Sequence, residues 1–302
     1  MSQCQTKSPW GAPGRLPEPW SCGIIGSYEN GNSIPLRVVA LAGCTAIHKS
    51  SPVHETLISH RGESHDAPEN TIPAYRMAVD RGFGFECDVY LSADGRVFTF
   101  HDGNLKRTSG GKLDKPCTEA VWETEISTLN VGGWGRWKGS RFDPTRPALL
   151  EEVCALARNG RWIYCEVKGK DTHVVAAIRK VLESQSVATP ENFLFIAFSQ
   201  DVCIDLKRQL PSYKVYWLTG SKGATEKVII DTLRRIGADG VDIAYNSDLH
   251  TKHFIRRIQE AGYSFHVWTI DDPAKAAEAL SRGVDTLTTN RAKYILDALG
   301  GK

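Results

Sequence analysis

Glu86-Cys87-Asp88 sets two carboxylates two positions apart within an apolar run, and in a strand that spacing turns both onto one face while Cys87 faces the other way. Two inward acids demand neutralisation. A third carboxylate stands in Glu166-Val167-Lys168, where alternation again sends Glu166 and Lys168 the same way. Glu86, Asp88 and Glu166 form an oxygen donor set for a hard divalent cation, Mg²⁺ or Ca²⁺, completed by water and substrate oxygens. His60-Arg61-Gly62 closes one strand-like run and Phe100-His101-Asp102 another, so two imidazoles reach strand ends beside the acids. Histidine is the side chain best suited to move protons near neutral pH. With Arg61 and Lys168 adding fixed positive charge, the set suits an anion, and phosphate is the natural candidate.

Each residue has a plainer reading when taken alone. A single histidine is more often structural, Glu86 and Asp88 could line a solvated face, and Arg61 and Lys168 could simply pair with these acids. Convergence from separate strands is what favours chemistry.

The elements that must position these groups are short β-rich runs alternating with amphipathic segments, the pattern of βα units feeding a parallel sheet. Strands are expected at Thr56–His60, Phe85–Leu91, Val97–His101, Trp162–Val167, Phe193–Phe198, Val215–Leu218, Gly240–Ala244, Ser264–Thr269 and Asp285–Thr289. Helical patterns fall between most of them, at Thr71–Arg81, His173–Ser184, Val202–Gln209, Thr225–Ile236, Lys252–Ala261 and Pro273–Ser281, several stopped by glycine at Gly82, Gly237, Gly262 or Gly283. Only Ser92 to Arg96 separates the second and third strands, too short for a parallel crossover, so these two form an antiparallel hairpin. A turn centred on Ala93-Asp94 would set His101 opposite Glu86. Eight parallel strands remain, the count of a TIM (β/α)8 barrel with a small hairpin insertion after its second strand, whose site would lie at the carboxyl ends of the strands. An open doubly wound sheet is the alternative.

Composition agrees with one large soluble domain. The chain has 302 residues, 41% hydrophobic and 24% charged, and a formal charge of +2, too small for the electrostatic footprint of a nucleic-acid binder. The longest uncharged apolar stretch, Val38 to Ile47, falls short of the roughly 20 residues that a membrane-crossing helix needs. The eight cysteines are scattered without zinc or disulfide spacing. Residues 1–53 lack either hydrophobic period and are expected to form a poorly ordered or processed leader ahead of a catalytic domain at 54–302. Within it, Leu41-Ala42-Gly43-Cys44 has the form of a lipobox, although Arg37 interrupts the preceding apolar segment. The cytoplasm is the expected compartment, with a bacterial envelope lipoprotein anchored through Cys44 as the alternative.

Taken in order, His60-Arg-Gly, Glu69-Asn-Thr, Glu86-x-Asp-Val, Asp94-Gly, Phe100-His-Asp, Arg107-Thr, Pro147-x-Leu-x-Glu-Glu, Glu166-x-Lys, Trp268-Thr and Thr288-Thr-Asn resemble the glycerophosphodiester phosphodiesterase family over 54–299. The resemblance implies a TIM-barrel, metal-dependent phosphodiesterase that acts on small glycerophosphodiesters and releases glycerol 3-phosphate and an alcohol. It places the catalytic histidines at His60 and His101 and the metal carboxylates at Glu86, Asp88 and Glu166. Arg61, Lys168 and Trp268 become candidate contacts to phosphate and glycerol, while His266, on the face of Trp268, is expected to be a buried core position. His65, Asn70 and Trp217 stand between loop structure and substrate contact. One histidine would serve as base and the other as acid, and the nucleophile would be water or the neighbouring glyceryl hydroxyl. A lysophospholipase D acting through the same residues, or a binding protein that has lost turnover, are the alternatives.

Overall fold

The computed structural model describes residues 53–158 and 160–300; the leader up to residue 52, with its Leu41–Cys44 lipobox, lies outside the described residues. All nine expected strands are present: β1 (Leu57–Ser59), β2 (Gly84–Leu91), β3 (Val97–Thr99), β4 (Ile163–Val167), β5 (Phe193–Ala197), β6 (Lys214–Thr219), β7 (Gly240–Ala244), β8 (Ser264–Trp268) and β9 (Thr286–Thr289). Eight pair in parallel around a ring, β1-β9-β8-β7-β6-β5-β4-β2, which β1 closes onto β2. The fold is a TIM barrel. β3 lies outside the ring, antiparallel to β2.

The helices are α1 (Val53–Thr56), α2 (Ile72–Asp80), α3 (Leu150–Cys154), α4 (His173–Glu183), α5 (Gln200–Gln209), α6 (Glu226–Ile236), α7 (Lys252–Glu260), α8 (Pro273–Arg282) and α9 (Ala292–Ala298). Five begin on a side-chain cap that accepts a hydrogen bond from the first turn, at Thr71, Ser199, Thr225, Thr251 and Asp272, so the βα loops end at fixed residues. Gly237 and Gly283 close α6 and α8 in the left-handed conformation.

The apolar faces of these helices pack on the outward side chains of the strands, among them Cys87, Cys165, Phe193, Phe195 and Val241. Inward side chains fill the barrel itself: Ile58, Tyr164, Leu194, Ile196, Tyr216 and Leu218 form a separate core. His266 belongs to this plug, as expected. Its ring stacks on Tyr216 at 4.3 Å, and its Nδ1 hydrogen-bonds Thr286 Oγ1 and Tyr164 Oη. Among the described residues the lower barrel is filled, which leaves its carboxyl-end mouth for ligands.

One expectation fails in detail. The β2–β3 pairing sets Val89 opposite Thr99 and Leu91 opposite Val97, one residue out of the register that would put His101 against Glu86. The turn centres on Asp94, whose carboxylate accepts hydrogen bonds from Ser92 Oγ and from the Trp122 and Glu123 N–H groups. The ladder ends at Thr99, and the chain then turns at His101 toward the mouth. Residues 103–148, which show no clear period in the sequence, form a lobe around Leu105, Trp122, Ile126 and Leu129 that packs against Phe98 and Phe100.

Candidate active site

The first strand ends in a strained turn. Arg61 has φ 56° and Gly62 φ 77°, and a Cβ on Gly62 would sit 2.6 Å from the Ala74 carbonyl carbon, so only glycine fits. The bend points the Arg61 N–H at Glu86 Oε2 (2.9 Å) and sends the guanidinium to Glu69 Oε1 (3.1 Å), with its Nε 3.5 Å from Asp88 Oδ2. Gly62→Ala is expected to cost at least about 2 kcal/mol from backbone strain and overpacking. Urea denaturation checks this, and an unchanged midpoint would show that α2 can retreat freely.

β2 and β4 are neighbours with Asp88 level with Glu166, and one oxygen from each of Glu86, Asp88 and Glu166 lies within 4.8 Å of the others. All three are buried. Asn70, in a left-handed turn at φ 56°, donates to Asp88 Oδ2 (2.7 Å) and accepts from the Asp88 N–H (3.1 Å) and the Tyr75 hydroxyl (2.8 Å). It holds Asp88 in place. Lys168 Nζ lies 2.8 Å from Glu166 Oε1 and 3.3 Å from Asp88 Oδ1.

Burial opposes charge on Asp88, but Lys168 and Arg61 outweigh it and hold the carboxyl down at about 2. Glu86 and Glu166 go the other way. Burial and then the Asp88 charge push both up, Glu166 to about 8 and Glu86 well above the usual carboxylate range. Among the described residues, the buried Glu86 Oε1 and Asp88 Oδ1 find no hydrogen-bond partner, and Asp88 Oδ1 has only the Lys168 charge beside it. Three convergent carboxylates, two of them with an oxygen that makes no hydrogen bond, and too little protein positive charge to ionise all of them, fit a divalent cation.

His60 Nδ1 lies 2.7 Å from Asn290 Oδ1. Asn290 donates through Nδ2 to Asp271 Oδ2 (2.7 Å), so its carbonyl oxygen faces the ring and the His60 proton belongs on Nδ1. Nε2 then presents a lone pair 3.9 Å from Glu86 Oε2. Burial, with Arg61 adding to it, pushes His60 down to about 4, so the ring is neutral at physiological pH. His101 Nδ1 pairs with Asp102 Oδ1 at 2.8 Å. Arg107 binds that carboxylate in turn, its Nε 2.6 Å from Oδ2, and the Arg107 hydrogen bond holds Asp102 down at about 2 despite partial burial.

Both histidines, Arg61, Glu86, Glu166 and Lys168 line one cavity of about 320 Å³ at the barrel mouth. Its other wall is largely apolar, with Ile196, Leu218, Trp268 and the exposed Phe198, whose ring meets Trp268 edge-on at 5.8 Å, beside Asp242, Thr269 and Thr288. Trp268, the candidate glycerol contact, lines the cavity, whereas Trp217 packs outward against the helices and Leu218 takes the lining position. His65 lies at an adjoining groove with its Nδ1 on Asp66. Asn290, Asp271, Asp102 and Asp242 are site residues not assigned from sequence. Asn290 stands in the Thr288-Thr-Asn motif without a visible role. Asp242 could have been found from the inward alternation that starts at Gly240; it is 1% exposed in the cavity lining, and burial lifts it to about 7.

Residues 60–293 match the model of the glycerophosphoryl diester phosphodiesterase family. Mouse glycerophosphodiester phosphodiesterase 1 is 34% identical over 125 residues, 41% of this chain and 37% of its own length. The chain thus aligns with well under half of that relative. A glycerophosphodiester phosphodiesterase of Bacillus subtilis is 24% identical over 80% of this chain and 85% of its own. The solved phosphodiesterase of Oleispira antarctica, in complex with the product sn-glycerol-3-phosphate, superposes with a TM-score of 0.72 at 25% identity, covering 82% of this chain and 97% of its own. With the family model spanning most of the barrel and the same fold in these neighbours, the chain belongs to the glycerophosphoryl diester phosphodiesterase family.

Proposed function

We propose that the chain hydrolyses glycerophosphodiesters to glycerol 3-phosphate and an alcohol. The observation that carries this reading is one cavity in which a buried carboxylate triad faces two histidines, each oriented through its Nδ1 by an oxygen partner. The relatives' names and the glycerol 3-phosphate bound by the Oleispira antarctica enzyme support the substrate class.

Glu86, Asp88 and Glu166 would hold a divalent cation, Mg²⁺ or Ca²⁺, which supplies Lewis-acid neutralisation of a phosphoryl oxygen. The rest of the work falls to the chain. Lys168 and Arg61 keep Asp88 ionised and offer positive charge to the phosphate. His60, neutral and with a lone pair on Nε2, is placed to take the proton from the attacking oxygen, either water or the adjacent glyceryl hydroxyl. A new P–O bond forms as the bond to the alcohol breaks; with water as nucleophile this gives glycerol 3-phosphate directly, and with the glyceryl hydroxyl it gives a cyclic phosphate that a water molecule then opens. His101, backed by Asp102, is placed to give a proton to the departing oxygen.

Incubation of glycerophosphocholine with the protein and Mg²⁺ or Ca²⁺ is expected to release glycerol 3-phosphate and choline. Phosphocholine and free glycerol would place the cleavage on the wrong side of phosphorus. Tight binding without turnover would make the chain a phosphodiester-binding protein.

A further inference from the structure

Asp242 lies on the strand four places round the eight-stranded ring from β2, diametrically opposite Glu86 and Asp88. The protein cations of the site stand on the other wall: Lys168 is paired with Asp88 and Glu166, and Arg61 with Asp88 and Glu69. On the side of Asp242 the cavity lining is mostly apolar, with Leu218, Ile196 and Trp268, and its other polar members are the uncharged Thr269 and Thr288. The Trp268 indole N–H is already spent on the Asp242 backbone carbonyl (3.1 Å) and cannot serve the side chain. Asp242 Oδ1 is buried without a hydrogen-bond partner among the described residues, and burial alone lifts its carboxyl to about 7. An acid placed inside a barrel wall, with one buried oxygen unpaired and its residue among those lining a ligand-sized cavity, has the features of a recognition group awaiting its partner.

We propose that Asp242 recognises the glyceryl end of the diester by hydrogen-bonding its terminal hydroxyl and the one beside it. This rests on the glycerophosphodiester reading above and goes further by fixing which end of the substrate enters the cavity. A phosphate held at the triad reaches across to the opposite wall through its short glyceryl arm, and the leaving alcohol then points to the mouth near the exposed Phe198. A carboxyl that shares its proton can both donate and accept, which matches two adjacent hydroxyls. A quaternary ammonium headgroup offers no donor to it.

The test compares kcat/KM for glycerophosphocholine with that for 2-hydroxypropyl phosphocholine, which lacks only the terminal hydroxyl and keeps the one next to the phosphoester. The wild type is expected to prefer the glyceryl diester by about 10²-fold or more, as sites built to bond a hydroxyl do. Asp242→Val should bring that ratio to within a few-fold of unity, chiefly through loss on the glyceryl substrate. An equal loss on both substrates, or a loss that vanishes when choline is replaced by a neutral headgroup, would overturn the assignment. A wild-type measurement covers the case in which this variant fails to fold. Glycerol 3-phosphate should inhibit at least about tenfold more tightly than 2-hydroxypropyl phosphate, and equal inhibition would overturn the proposal. If the wild type cleaves neither diester, the underlying reading falls and this one with it. Turnover with an unchanged ratio would remove Asp242 alone.

Discussion

Exhaustive EDTA treatment is expected to abolish turnover, by on the order of 10³-fold or more, because the proposed cation would supply several kcal/mol of charge stabilisation and each 1.36 kcal/mol is a factor of ten. Glu86→Gln should reproduce much of that loss while leaving the fold intact. The remaining amide oxygen can still accept the Arg61 N–H that Glu86 Oε2 accepts, but one ion-binding oxygen becomes an NH₂ donor. A second readout does not depend on activity. Adding Mg²⁺ or Ca²⁺ should raise the melting temperature of the wild type, by about 2.7 kcal/mol of stability at a hundred times Kd, and do so far less in Glu86→Gln. Full activity after chelation, or a melting temperature indifferent to both ions, would leave Glu86, Asp88 and Glu166 as a structural cluster satisfied by Lys168 and Arg61.

His60→Ala and His101→Ala should each lower kcat by about 10²–10⁴-fold with little change in KM, since proton transfer acts in the transition state. The leaving group separates their roles. A p-nitrophenyl ester departs without protonation, so on that substrate the His101→Ala deficit should shrink by an order of magnitude or more while the His60→Ala deficit persists. The opposite pattern would exchange acid and base. Equal deficits on both substrates would argue that neither ring protonates the departing oxygen, and unchanged kcat would return the residue to a structural role.

Much of this architecture is legible in the sequence because barrel strands are short, apolar and regularly spaced. Glu86, Asp88 and Glu166 stand out because acids inside such runs are costly unless they serve a purpose. His101 was placed near them through a register one residue wrong; the ladder stops at Thr99, and a turn delivers the ring that pairing would have faced away. Asn290 falls within the Thr288-Thr-Asn motif, yet its bond to His60 spans 230 residues, and no local period reports so distant a contact. The 103–148 lobe is held by hydrogen bonds of irregular loops, such as Asn130 to Asp143 and Lys115 to Glu125, which leave neither hydrophobic repeat. Asp242 hid in a pattern of one, a single acid whose meaning depends on what lies across the barrel.

The bond from His60 to Asn290 ties the beginning of the barrel to its end. β1 pairs with β9, so the imidazole acquires its orienting partner only when the eighth barrel strand has docked beside the first. During synthesis from the N-terminus, the carboxylate wall can gather as soon as β4 is made, well over a hundred residues before Asn290 leaves the ribosome. Under the proposed mechanism, a half-made chain would gather its acids while His60 still lacked its orienting partner. Competence would then arrive only with ring closure, so incomplete chains would bind before they could cut.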